Sequence, residues 1–323
     1  MHAIRIKAPG GPDVLTYEEF PTPAPGPADA LVRLEAIGVN FVDIYQREGV
    51  YKMTHPFTAG SEGAGVVEAV GAQVTDFRVG DRVAYTGILG AYATYAVVPA
   101  ARLVKLPAGV DSRTAAGLML QGMTAHYLTH TTYPLKAGDT ALIHAAAGGV
   151  GLLLVQMAKM RGARLIGTVS TEEKATLARE AGADDVILYT QVDFEAEVKR
   201  LTGNRGVQVA YDSVGKTTYE KSMNSLAPRG YLVLFGNSSG VVPPIDPLTL
   251  MAKGSLFMTR PTMGHYIATR EELLARATDL LGWVGSGRLK VRIGRTFPLA
   301  EAAEAHRYLA SRQSTGKVLL IPS

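Results

Sequence analysis

The sequence predicts an α/β protein: a doubly wound parallel sheet inserted between two parts of a second, β-rich domain. Three observations carry that reading. Hydrophobic runs from Thr140 to about Met263 alternate between strand length and helix length, as a parallel sheet with crossover helices demands. Before Ser112 the runs are short, alternating and punctuated by Gly and Pro, which is the pattern of β structure. At 323 residues the chain is also too long for one compact core. The expected division is 1–123 with 264–323 for the β-rich domain and 124–263 for the inserted one.

In order, 3–8 and 15–20 read as strands flanking the turn Pro9-Gly10-Gly11-Pro12-Asp13, and the Pro-rich stretch 21–27 as a surface loop. Residues 30–37 alternate well enough for a half-buried strand, and 41–47 suit one or two helical turns. The Val- and Gly-rich stretch 63–83 suggests a small β-barrel, continued by 92–98 and 102–106. From Ser112 the period changes, and 114–120 and 122–131 read as two helices, the first capped by Asp111 or Ser112. The inserted sheet then takes strands 140–144, 164–169, 185–189, 207–212, 231–235 and 255–259. Helices 152–160, 172–181, 193–202 and 217–226 lie between them, the last stopped by Ala227-Pro228-Arg229-Gly230. Six strands with crossovers make a full Rossmann sheet. Helix 270–286 and strand 291–297 leave that pattern. A final helix, 299–311, precedes strand 317–321, which is placed to close the N-terminal β domain.

The stretch from Gly138 to Lys159 carries the clearest chemistry. An apolar strand ending at His144 enters the turn Ala145-Ala146-Ala147-Gly148-Gly149-Val150-Gly151, and a helix follows. Ala146 allows the sharp turn, Gly148 lets backbone N–H groups approach a pyrophosphate, and Gly151 lets the helix pack close to the strand. The free N–H groups and positive dipole end of that helix then face phosphate. In the NAD version of this device an Asp or Glu about 20 residues on accepts from the adenosine ribose hydroxyl. Here that place holds uncharged Ser170, with Lys174 one helical turn on. A hydroxyl and an ammonium suit a 2′-phosphate, so NADP is favoured over NAD. Glu172 and Glu173 argue the other way unless they are first-turn residues favoured by the helix dipole, with Thr171 as N-cap.

Composition excludes several classes. Hydrophobic content of 47% with 19% charge describes a soluble globular chain, and no apolar run reaches the length of a membrane span. With zero cysteines there is no disulfide framework, no thiolate nucleophile and no Cys-ligated zinc. The N-terminus runs directly into a strand, so no signal peptide is expected and the cytoplasm is the default location. A net charge of +4 is mild and its Lys and Arg are scattered, which is weak support for nucleic-acid binding. His55, His126 and His144 lie apart with no ligand-like spacing and are read as structural.

Several segments together carry a family likeness across essentially the whole chain. They are Gly38-Val39-Asn40-Phe41-Val42-Asp43, Gly60-Ser61-Glu62-Gly63-Ala64-Gly65, Gly80-Asp81-Arg82-Val83, the stretch 138–159, Tyr211-Asp212-Ser213-Val214-Gly215, Phe235-Gly236-Asn237-Ser238-Ser239-Gly240 and Thr259-Arg260-Pro261. The chain resembles the NADPH:quinone oxidoreductases related to zeta-crystallin, in the medium-chain dehydrogenase/reductase superfamily. The resemblance implies a GroES-like β-barrel catalytic domain over an inserted Rossmann domain, with the active cleft between them and a dimer formed through the Rossmann sheet edge. Where the zinc-dependent branch has its cysteine and histidine ligands, this sequence has Asn40 and Ser61, which cannot replace thiolate and imidazole for tetrahedral zinc. A metal-free enzyme is expected.

The resemblance also assigns residues. Asn40, Tyr45, Tyr51 and Thr124 should surround the nicotinamide end and substrate cleft, where the tyrosines either stack on a flat ring or only cover the barrel's mouth. Ala147, Gly148, Gly149, Val150, Gly151, Ser170, Lys174 and Tyr189 match the pyrophosphate and adenosine side. Gly236, Asn237, Ser238, Phe257 and Met258 match residues near the nicotinamide. Ser213 follows a strand end, where turn chemistry alone also accounts for it. The implied activity is hydride transfer from NADPH to a quinone, with no dedicated proton donor identified. The alternatives are an enone or enoyl-thioester reductase, which adds hydride to a conjugated carbon, and a non-catalytic NADPH- or RNA-binding protein.

Overall fold

The computed structural model describes residues 1–322 and divides the chain into two compact units, Met1–Met123 with the segment from Tyr266 onward, and Thr124–His265. The first unit opens with β1 (His2–Ile6) and β2 (Leu15–Glu19), antiparallel, followed by β3 (Asp29–Val39) and α1 (Phe41–Arg47). β4 (Phe57–Thr58), β5 (Glu62–Val70), β6 (Arg82–Thr86), β7 (Tyr95–Pro99), β8 (Val104–Lys105) and α2 (Ser112–Tyr127) complete its first part. α2 is one helix where two were expected. Gly122 does not break it, because a Cβ there would stand 2.8 Å from Leu118 Cδ1 and 3.3 Å from Leu280 Cδ1. Close packing against Leu280 outweighs the roughly 1 kcal/mol of glycine's helix propensity. A wide π-type turn, Leu128–Thr132, then ends it.

The second unit begins with β9 (Thr140–His144), α3 (Gly149–Met160), β10 (Arg164–Val169), α4 (Glu172–Glu180), β11 (Asp185–Leu188), α5 (Phe194–Leu201) and β12 (Val207–Asp212). α6 (Tyr219–Asn224), β13 (Leu226–Leu234), α7 (Pro247–Ala252) and β14 (Phe257–Thr259) follow. Its six strands are parallel in the order β11-β10-β9-β12-β13-β14, which is the doubly wound order with its reversal between β9 and β12. β9, β10 and β12 are buried on both faces, which explains why they read as largely apolar runs, broken only by single polar residues such as Thr168 and Gln208. Boundaries differ from expectation by a few residues at the starts of α3 and β14, and by more at β13. β13 starts at Leu226 rather than at Tyr231, and its pairing jumps from Val207↔Leu226 to Val209↔Tyr231. The irregularity holds Pro228 and left-handed Arg229 (φ 62°), so a stretch that reads as a helix stop is a bulge inside the strand.

After a short α8 (Met263–Tyr266) the chain forms α9 (Arg270–Gly285), β15 (Ile293–Pro298), α10 (Ala302–Ala310) and β16 (Lys317–Ile321). β16 pairs antiparallel with β3 and parallel with β15, completing a seven-stranded sheet beside the three-stranded β2-β1-β4. The closing role expected of 317–321 is thus realised. α10 buries Ala302, Ala305, His306 and Leu309, one helical stripe, against a core that includes Ile4, Val32, Ile37, Val98 and Val318. A histidine in that stripe needs polar partners, and it has them.

Candidate active site

The turn after β9 is shaped by close backbone contacts. Ala145 takes a left-handed φ of 51°, so the strained residue is Ala145 rather than its neighbour Ala146. Gly148 N donates back to Ala145 O at 2.8 Å and serves as N-cap of α3 with no side chain to cap it. A Cβ on Gly151 would stand 2.2 Å from Ala145 O and 2.8 Å from Ala146 C, so only glycine lets the helix start here. The N–H groups of Gly149, Val150 and Gly151 form the helix's positive end, where an anion is stabilised.

Beside it, at the carboxyl ends of β10 and β11, lie Ser170, Lys174 and Tyr189. Ser170 follows β10 and its carbonyl accepts from Thr190 Oγ1 at 3.0 Å, while Tyr189 N donates to Val169 O at 3.2 Å. Thr171 caps α4, accepting from Lys174 N at 3.3 Å, which places Glu172 and Glu173 in the first turn of that helix. Partial burial pushes the Lys174 ammonium below its ordinary value, with Glu173 opposing.

The loops after β12 and β13 are stitched together. Ser238 N donates to Ser213 O at 3.2 Å, Ser239 N to Val214 O at 2.8 Å, and a Cβ on Gly236 would meet Ser213 O at 2.4 Å. Asn237, with its amide turned to satisfy both ends, donates to Gly236 O (2.8 Å) and accepts from Arg260 Nη2 (3.2 Å). Beneath these loops His144 Nδ1 lies 2.8 Å from Thr168 Oγ1 and Nε2 lies 2.9 Å from Ser222 Oγ, which donates to Asp212 Oδ2 at 2.8 Å. The proton of His144 therefore sits on Nε2, and burial pushes its pKa down, keeping the ring neutral. Phe257 and Met258 are set apart from this group. They pair with Tyr231 and Leu232 on the outer strand, before β13 reaches its carboxyl end, and Phe257 stacks on Tyr231 with centroids 4.6 Å apart. Thr124 is buried within α2.

In the β-rich unit, Asn40 precedes α1 and is held by two buried networks. Its backbone N–H donates to Asp43 Oδ2 at 2.8 Å. Its side-chain Nδ2 donates to Glu62 Oε2 (2.8 Å) and Gly38 O (3.3 Å), and its Oδ1 accepts from Lys317 Nζ (2.8 Å) and Gln121 Nε2 (3.3 Å). Glu62 also accepts from Leu120 N at 2.6 Å and pairs with Lys317. A Cβ on Gly38 would stand 2.1 Å from Glu62 Oε2, so the glycine makes room for the carboxylate. Ser61 is buried next to it in sequence. The second network runs from Arg47 Nη1 to His306 Nδ1, from His306 Nε2 to Tyr92 OH, and from Tyr92 OH to Asp43 Oδ2, each at 3.0 Å. Desolvation raises Asp43 to about 7 and lowers His306 to about 3. Tyr45 is 8% exposed and Tyr51 39%, their rings edge to face at 5.5 Å.

Sequence reasoning singled out Asn40 but missed the groups networked with it: Lys317 and His306 lie far from it along the chain and signal nothing by spacing, while Asp43 and Glu62 are nearer. Glu62 and Asp43 stand within the quoted motifs, yet only burial shows their partners. Among the described residues no group of three or more His, Asp or Glu is arranged to hold a metal ion.

Known proteins show the same plan. The alcohol dehydrogenase GroES-like domain family matches residues 26–108, and the zinc-binding dehydrogenase family matches 149–279. A quinone oxidoreductase of Pseudomonas aeruginosa is 50% identical, covering 99% of both chains. A 2-haloacrylate reductase of a Burkholderia species is 46% identical, covering 98% of each. The crystal structure of Escherichia coli quinone oxidoreductase complexed with NADPH superposes with a TM-score of 0.98 at 43% identity over all of both chains. With a shared trace from end to end and both constituent domains matched, this chain belongs to the quinone oxidoreductase family of the medium-chain dehydrogenases/reductases.

Proposed function

We propose that the chain is an NADPH-dependent quinone reductase. The observation that carries the reading is the uncapped start of α3, reached through Ala145, Gly148 and Gly151, with Ser170 and Lys174 where an NAD site would have an acid. That set fits the cofactor: backbone N–H groups for the pyrophosphate, a hydroxyl and an ammonium for a 2′-phosphate. Bound there, NADPH supplies the hydride. Gly148, Gly149, Val150 and Gly151 hold its phosphates, while Ala147, Ser213, Gly236, Asn237 and Ser238 shape the remaining loops. Asn40, Tyr45, Tyr51 and Thr124 serve the nicotinamide and the acceptor. Asn40 and Ser61 are poor zinc ligands, and the Lys317 ammonium already bonds the Asn40 and Glu62 oxygens a cation would seek. Turnover of NADPH with quinones is expected to survive exhaustive chelation. A tightly held zinc whose removal abolishes activity would overturn the metal-free reading, and failure to reduce any quinone would overturn the function.

A second reading is favoured by the Burkholderia relative: reduction of a conjugated carbon, as in a haloacrylate. Competition between quinones and conjugated acids or alkenals for NADPH separates the two.

Lys174→Ala removes a charge-assisted bond of about 1.5–3 kcal/mol, so NADPH should bind roughly ten- to a hundredfold more weakly. NADH binding should hardly change. Ser170→Asp should repel the 2′-phosphate and offer NADH an acceptor. Titration of both cofactors at fixed ionic strength tests this pocket, and equal weakening of both by Lys174→Ala would refute it.

The dimer is assigned to the outer strand β14. Phe257 and Met258 are 50% and 40% exposed there, and Leu248 and Met251 of neighbouring α7 are both 64% exposed. An apolar, unpaired strand edge invites pairing with a second copy. Light scattering should report a dimer or larger, reduced in mass by Phe257→Asp. A monomer at micromolar concentration would end the proposal.

A further inference from the structure

The two ends of an asparagine amide are nearly equal in shape, so packing discriminates weakly between its two orientations. At Asn40 the choice is made by charge. The Lys317 ammonium, 1% exposed, can only donate, and it lies 2.8 Å from Oδ1. The Glu62 carboxylate, 0% exposed, can only accept, and it takes Nδ2 at 2.8 Å. Turned over, the amide would set its NH2 against an ammonium and its carbonyl against a carboxylate. Neither partner is free to yield, because Glu62 is tied to Leu120 N at 2.6 Å and the two charges bond each other. The remaining contacts of the amide, to Gly38 O and from Gln121 Nε2, are both longer at 3.3 Å.

We propose that Lys317 and Glu62 are positioning residues that fix the polarity of the Asn40 amide, so that the N–H held only by the long bond to Gly38 O is a donor of set direction for a ligand oxygen. The oxygen would be a carbonyl, of the cofactor carboxamide or of the acceptor. The inference rests on the assignment of Asn40 to the site made above. It gives the buried charge pair a role in a site without metal ligands: the pair orients a neutral donor.

The double variant Glu62→Gln with Lys317→Met tests it, since it removes both charges without leaving either unpaired. We expect near-parental thermal stability, NADPH-dependent kcat/KM for a quinone reduced about ten- to a hundredfold, and Lys317→Arg retaining most activity. The Asn40 side-chain NH2 resonance provides a readout independent of turnover. It should be a single protected pair in the parent and broadened or doubled in the double variant. Parental kcat/KM in the double variant, or an unchanged Asn40 resonance, overturns the proposal. If the parent reduces no quinone, the functional reading fails, and the resonance still decides whether the charges set the amide.

Discussion

Lys317→Met is expected to destabilise the protein by about 3–5 kcal/mol, because it strands the Glu62 carboxylate in a site with no solvent exposure. The pair's own net worth is much smaller, since each charge gave up its hydration to enter. The loss comes from leaving one charge alone. Adding Glu62→Gln should therefore restore most of the stability, although two groups have then been removed. An exposed pair gives the contrast. Lys159 and Asp184 lie 2.8 Å apart but are 39% and 36% exposed, and Lys159→Met should change stability by about 0–1 kcal/mol. Denaturant midpoints of the full chain measure all three. If Lys317→Met matches the parent, or the double variant is worse than the single, the buried pair has been misjudged.

Replacing Asp43 by Asn should make the stability difference from the parent vary with pH, by about 1.4 kcal/mol per pH unit within one window. Desolvation raises the Asp43 carboxyl in the fold from 3.8 to about 7, outweighing its bonds from Asn40 and Tyr92. Between those values the folded protein holds a proton that the unfolded chain has released. Parental stability from this group is thus present below pH about 4, falls as pH rises, and levels off above about 7. Asp43→Asn lacks that fall, so it gains on the parent from pH 4 to 7, by a total on the order of 4 kcal/mol. His306 works in the opposite sense. Burial lowers it from 6.5 to about 3, with Arg47 adding to the shift, so its contribution is lost as pH falls through that range. The two groups lie on one buried chain through Tyr92, and their slopes oppose each other between about pH 4 and 6.5. A gap between Asp43→Asn and parent that stays constant from pH 4 to 8 would contradict this account.

What was legible in the sequence was local. Gly148 and Gly151 sit at a spacing that a strand–turn–helix unit requires, and the missing Cβ of Gly151 is where the backbone closes in. β9, β10 and β12 were legible because strands buried on both faces are mostly apolar runs between glycines and polar turns. Ser170 and Lys174 were singled out by counting from the turn, and they stand after β10 and in the first turn of α4. The rest depends on contacts between distant positions. Glu62 and Lys317 are 255 positions apart, and each looks like an ordinary charged residue until both prove buried. Gly122 reads as a helix break because the nearby Leu280 that fills its space belongs to α9. The start of β13 was hidden by Pro228 and Gly230, whose turn chemistry is real but serves a bulge.

The order of synthesis gives the charge pair around Asn40 a history. β3, α1 and β5 emerge from the ribosome early, but the cation that completes them arrives with β16, 255 positions after Glu62. At roughly 5–20 residues per second that is an interval of roughly 13–50 s. During it the whole of Thr124–His265 has been made, and that unit needs nothing from the later chain for its own sheet. When the last residue of that unit has been added, the Glu62 carboxylate of the β unit still lacks its counter-charge. Until Lys317 is made, the Glu62 carboxylate has only the Leu120 N–H and the Asn40 amide as donors, and the Asn40 amide lacks the cation proposed to fix its orientation.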